Sequence, residues 1–175
     1  MRFTITDELP HPRDLVFQTH RDKLLELIDY LPNIENVETV SREEDGPVVR
    51  LENHWTGASS DVPAIVRPLI KDEYLTWVDY AEWDEENHRC KWRIELGVLP
   101  GAIEAHGENV FIEEGDETVV SMSGEFVIHP EHIPGVPAFV AKRAVPTLEK
   151  FIVGLVQPNL RKSNAAVVEY IDDNL

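Results

Sequence analysis

In the stretch YLTWVDYAEW, Asp79 lies between two tryptophans. Successive side chains of an extended strand alternate between faces, so Leu75, Trp77, Asp79, Ala81 and Trp83 share one face. An aspartate on such a face has two settings. It stands at a wet rim, or it is buried, and lost hydration then raises its pKa and fits it for general acid or base work. In GAIEAHGENVFI, Glu104 and His106 share a face with Ala102 and Glu108, opposite Ile103, Ala105, Gly107 and Asn109. They are proton-transfer candidates if that face turns inward, and merely solvated if Ile103 and Ala105 do. In VVRLENHW, Asn53 falls on the apolar face with Val49, Leu51 and Trp55. A buried amide must be hydrogen-bonded, so Asn53 is either a ligand contact or a structural bond.

Other chemistries leave no mark. Among the seven histidines, His88 sits two residues from Cys90, and His129 and His132 flank Pro130-Glu131. Neither pair is matched by a second at zinc-site spacing, so no metal is expected. No glycine-rich phosphate loop is present, SMSGE lacks the spacing of a nucleophile elbow, and no cofactor is implied. Cys90, on the apolar face of CKWRIEL, reads as a small core residue rather than a nucleophile.

The chain of 175 residues carries 33 acidic against 16 basic side chains, a net charge of -17. Such a surface repels phosphate backbones and anionic headgroups, which argues against nucleic acid and stable membrane association. A single cysteine excludes an intramolecular disulfide, the first residues alternate instead of forming a signal-type apolar run, and no apolar stretch approaches the roughly 20 residues of a membrane span. A cytoplasmic location is expected; the oligomeric state is not written in these residues.

The elements that must position the candidates follow from periodicity. Arg2 to Leu9 alternates as a strand closed by Pro10; HPRDLVFQTHRDKLLELIDYLP has helical spacing interrupted by the polar QTHRDK, which predicts two short helices. From Ile34 the period is two, with a turn at Glu44-Asp45-Gly46-Pro47. Two further hairpins follow, YLTWVDYAEW with RCKWRIEL and GAIEAHGENVFI with ETVVSMSGEFVI. DVPAIVRPLI, with Pro63 and Pro68, reads as a short helix or covering loop. From Pro137 helical spacing returns, with Val140, Ala144, Leu148, Phe151, Ile152 and Leu155 in one stripe, while Pro146 and Pro158 predict kinks or breaks. This gives an α+β domain over residues 1–175: seven strands, two short helices after the first, and a long terminal helix.

That order resembles the START/polyketide-cyclase-like superfamily (SRPBCC), whose helix-grip fold wraps a curved antiparallel sheet around a C-terminal helix. The resemblance is carried by TITDELPHPRDLVFQTHRDKLLELIDYLPNI, similar to the first strand and paired small helices, and by the hairpin WDEENHRCKWRIEL. It implies a cavity between sheet and last helix that holds lipids, quinones, polyketides or other hydrophobic molecules, and in some members a cyclase or aromatase activity. The prolines of the last helix and the apolar segment at 62–70 depart from the pattern and would narrow or cap that cavity.

Side-chain size decides between a pocket and a solid core. Gly97, Ala102, Ala105, Gly107, Ser121, Ser123 and Gly124 stand beside Trp92 and Phe126. They leave room for a ligand, or the glycines mark bends in the sheet. The expected lining is Trp77, Trp92, Ile94, Asn53, Phe126, Phe139, Phe151 and Leu155. Binding of a hydrophobic small molecule is the leading expectation. A cyclase/aromatase-like enzyme using Asp79, His106 or Glu104 is the alternative, and a protein-interaction module without ligand, docking through the terminal stripe or VPAIVRPLI, is a third.

Overall fold

The computed structural model describes residues 1–58, 75–97, 101–132 and 138–175; within the last helix the side chains described are those of 139, 143, 145, 146 and 157–175. Seven strands, β1 (Arg2–Leu9), β2 (Ile34–Asp45), β3 (Val48–Gly57), β4 (Thr76–Asp84), β5 (Arg89–Leu96), β6 (Ile103–Glu114) and β7 (Glu117–Ile128), form one sheet. Its order is β1-β7-β6-β5-β4-β3-β2, with every described pair antiparallel. Between β1 and β2 lie α1 (Arg13–Asp22) and a 3-10 turn, Glu26–Tyr30, and the chain ends in α2 (Ala138–Asn174). The helix α1 stops within the polar stretch that separates the two predicted helices. Tight turns at Gly46 and Gly115, with φ of 59° and 65°, close two hairpins in a backbone region that glycine enters without a Cβ penalty.

The core gathers at one end of the inner face. Phe17 of α1 inserts between Trp83 and Phe111, ring centroids 5.2 Å away and near-perpendicular in both cases. Such edge-to-face pairs add about 0.5–1.5 kcal/mol each beyond their area burial. The C-terminal turns of α2 close the same end through Asn164, Val167 and Ile171, with Leu160 packed alongside. That spacing of three and four residues is a helical stripe lying further along the chain than the one read from the sequence. The side chains of Val140, Ala144, Leu148, Phe151, Ile152 and Leu155 lie outside the described ones, as does the whole segment 59–74 containing VPAIVRPLI.

Of the kinks or breaks expected at Pro146 and Pro158, no break occurs: the last helix is one segment, Ala138–Asn174, that contains both prolines. Both prolines are exposed, so the ring clash and the freed carbonyl fall on the solvent side, toward which long helices bow. The paired glycines Gly107 and Gly124 neither leave a void nor mark a register shift. They form a shelf filled by two rings: a Cβ on Gly107 would stand 2.3 Å from the Trp92 indole, and one on Gly124 would stand 2.7 Å from Phe3. Ser121 and Ser123 alternate with the buried Val120 and Met122 and belong to the outer face.

Candidate functional site

Register converts the alternation of single strands into rows that cross the sheet. One inner-face row reads Thr39, Asn53, Asp79, Ile94, Ala105, Phe126 from β2 to β7. The row beside it reads Val37, Trp55, Trp77, Leu96. Four residues selected from the sequence, Asn53, Asp79, Ile94 and Phe126, thus share one row, and Trp77 stands next to it.

Burial falls away along the inner face. On β4, Trp83 and Ala81 are buried and Asp79 and Trp77 only half-buried; on β5, Cys90 is buried and Trp92, Ile94 and Leu96 are half-buried; on β3, exposure begins at Trp55. Trp92 marks the border. Its ring lies on the glycine shelf, 6.5 Å from Phe3, and its Nε1 donates to Asn109 Oδ1 at 3.1 Å. Beyond it, Trp55 and Trp77 stack in parallel, 5.7 Å apart with an interplanar angle of 8°, as an aromatic wall.

At this end the sheet forks. The ladder between β5 and β6 ends at Ile94 and Ala105, while β5 continues beside β4 to Leu96 and β6 continues beside β7 from Ile103. A pocket of about 810 Å³ occupies the fork. Trp55, Trp77, Ile94, Leu96, Ile103 and Ala105 line it from inner-face positions, and His54, Val78, Arg93, Glu95, Glu104 and His106 from the alternate ones. Among the described residues its lining comes from the sheet and the β5–β6 turn, with none from α2.

The polar part of the inner face is a chain of three groups on three strands. Thr39 Oγ1 donates to Asn53 Oδ1 at 2.9 Å, and Asn53 Nδ2 donates to Asp79 Oδ2 at 3.2 Å. Burial pushes the Asp79 carboxyl up to about 6, and the Asn53 hydrogen bond opposes that rise by favouring the carboxylate. Burial also holds the Cys90 thiol well above its ordinary value, so it stays an inert thiol.

Placement sorts the remaining candidates. Phe126 is 3% exposed and stacked on Phe3, a core residue at the border. Phe139 is 70% exposed, so the part of α2 that carries it turns that ring to solvent. Phe151 and Leu155 fall among the side chains not described. Glu104 and His106 stand on the face opposite Asp79, because Ile103 and Ala105 turn inward, yet both line the pocket in the fork, whereas Asp79 and Asn53 lie in the row beside it. Glu104 lies 3.0 Å from His129, and His106 lies 4.0 Å from Glu125. Thr39 and Trp55 complete the inner-face group. Alternation already put Trp55 beside Asn53, whereas Thr39 was hidden by a register shift between Thr39 and Ser41 that breaks the period of β2. Among the described residues, no group of three or more metal-ligating side chains is found, and no helix is long and apolar enough to cross a membrane.

Seven antiparallel strands with two small helical elements after the first and a terminal helix across the sheet make up the helix-grip fold of START-like (SRPBCC) proteins. Solved structures align with the chain almost end to end. A protein of Thermus thermophilus is 21% identical with a TM-score of 0.67, covering 97% of this chain and 99% of its own. The Zhui aromatase/cyclase from Streptomyces is 16% identical with a TM-score of 0.66, covering 98% and 93%. Norcoclaurine synthase from Thalictrum flavum is 18% identical with a TM-score of 0.60, covering 98% and 86%. At these identities the likeness is one of fold. No family model matches the chain, and no curated protein does.

Proposed function

We propose that this chain binds a hydrophobic small molecule, of lipid, polyketide or quinone class, against the open end of the inner sheet face beneath the C-terminal helix. The observation that carries the reading is the half-buried aromatic surface of Trp55, Trp77, Ile94 and Leu96, beside a pocket of about 810 Å³, within a few residues of a tightly packed core. A fold that packs Phe17, Trp83 and Phe111 edge to face leaves these two indoles only half-buried among the described residues, and ligand sites of this size combine such apolar walls with polar groups. Burial of apolar surface contributes about 2.5 kcal/mol for about each 100 Å² removed from water. Affinity then comes mainly from the wall, with Asp79, in the adjoining row outside the pocket lining itself, as the orienting polar group. The folds of an aromatase/cyclase and of a START superfamily protein from Mycobacterium smegmatis, the latter 14% identical with a TM-score of 0.54, support a ligand site in this architecture.

Titration with Nile red, read by dye emission and by tryptophan quenching, tests the proposal. Saturable one-to-one binding that weakens in Trp77→Ala, with the fold intact by circular dichroism, is the expected result. No saturable binding, together with no small adduct in native mass spectrometry of protein purified from cells, overturns it. A second reading, a cyclase-like enzyme, draws on one observation: a carboxyl held at about 6 exchanges a proton near neutrality, as a general acid or base requires. Turnover of an aromatic polyketide-type substrate, lost in Asp79→Asn, tests it.

A further inference from the structure

The charge of the ligand follows from Asp79 and rests on the pocket reading above. Asp79 has one hydrogen-bond partner among the described residues, the Asn53 amide at 3.2 Å, and that amide is locked in orientation because its oxygen accepts from Thr39 at 2.9 Å. No described residue donates to the second carboxyl oxygen.

No described cation answers it. The ladder neighbours of Asp79 are Asn53 and Ile94, and its neighbours along β4 on the same face are Trp77 and Ala81. Cys90 on β5 is the described titratable group that feels its charge, and that thiol is kept neutral by burial. The other inner-face aspartate on β1 shows the contrast: Asp7 is met by Arg161 and by Asn164 Nδ2 at 2.8 Å. Among the described residues Asp79 is therefore a carboxyl in a largely apolar setting without a countercharge, an arrangement that a bound positive group completes. The stacked Trp55 and Trp77 rings stand in the adjoining row, and indole faces attract cations through their quadrupole. The overall charge of -17 raises the local concentration of cations and repels anions.

We propose that the ligand is a hydrophobic amine whose ammonium group pairs with Asp79, held by Asn53, while its apolar body lies along Trp55 and Trp77 toward Ile94 and Leu96. Thr39 and Asn53 then act as positioning residues that aim the carboxylate.

Two probes sharing one ring system test this: naphthylmethylamine and naphthylmethanol, titrated into the protein by calorimetry at pH 8 and pH 5, with wild type and Asp79→Asn. The amine is expected to bind at least about tenfold more tightly than the alcohol at pH 8, the usual scale of one charge-assisted hydrogen bond. That preference should shrink at pH 5 and vanish in Asp79→Asn. Equal binding of the two probes at pH 8 overturns the proposal and leaves the pocket standing. So does alcohol binding that tightens on acidification, which would mark Asp79 as a neutral donor to oxygen. An amine preference that survives undiminished in Asp79→Asn overturns it too, by assigning the selectivity to diffuse surface charge. If neither probe nor Nile red binds, the pocket reading falls with it.

Discussion

Replacing Asp79 by asparagine should make the empty protein more stable at neutral pH. The carboxyl ordinarily titrates at 3.8 and is raised to about 6 in the fold, chiefly by burial. The folded state therefore prefers the protonated acid. The stabilisation from that preference is fully present below pH 3.8, the unfolded value, and is lost as pH rises through about 6. At about 1.4 kcal/mol per pKa unit, the loss amounts to about 3 kcal/mol at pH 8, and the part of Asp79 that still meets solvent makes this an upper figure. The asparagine carries no charge to desolvate, and its side-chain oxygen can still accept from Asn53 Nδ2. Asp79→Asn should accordingly gain up to about 3 kcal/mol over wild type at pH 8, or a Tm higher by up to about 6–12 °C for a chain of this size. The gain should fade to near zero by pH 4. Urea denaturation of both proteins across pH 4–8 measures it, and the difference curve cancels every carboxylate that the two share. A variant less stable than wild type at pH 8, or a difference that does not change with pH, refutes the reasoning that Asp79 is a desolvated acid without a countercharge.

Other perturbations follow from the same contacts. Asn53→Ala removes the described bond that favours the Asp79 carboxylate, so its titration, followed by carbon NMR of the side chain, should move above 6. Gly107→Ala drives a methyl to within 2.2 Å of the Ser123 carbonyl oxygen and 2.3 Å of Trp92. It should cost about 1–3 kcal/mol or more in a urea melt, because backbone on one side and a packed indole on the other leave little room to yield. Phe17→Ala empties the space between Trp83 and Phe111 and should cost about 3–5 kcal/mol. Trp92→Ala should weaken retention of a bound hydrophobic probe beyond its effect on stability, since the indole borders both the core and the open face; unchanged affinity in a folded variant removes Trp92 from the site.

Where turns, strand periods and charge are concerned, local sequence suffices, because each depends on neighbours within a few residues. Arg2–Leu9, the hairpins and the polar break after α1 are of this kind, and so is the apolar face of CKWRIEL. The glycines at 107 and 124 were ambiguous in the sequence because their meaning lies in rings from β5 and β1, which only sheet pairing brings over them. The unbroken path of α2 through two prolines depends on which side of the helix meets water, a property of packing rather than of composition. Alternation put Asp79 on a face with tryptophans and Asn53 on a face with Trp55. It could not say that these faces are the same one, that Thr39 locks the amide, or that Glu104 and His106 look the other way. Those facts are set by the register of β2 through β6, since a shift of one residue would turn each strand's side chains to the opposite side. Tertiary pairing thus decided which acid lies, among the described residues, without a countercharge beside a half-buried aromatic wall.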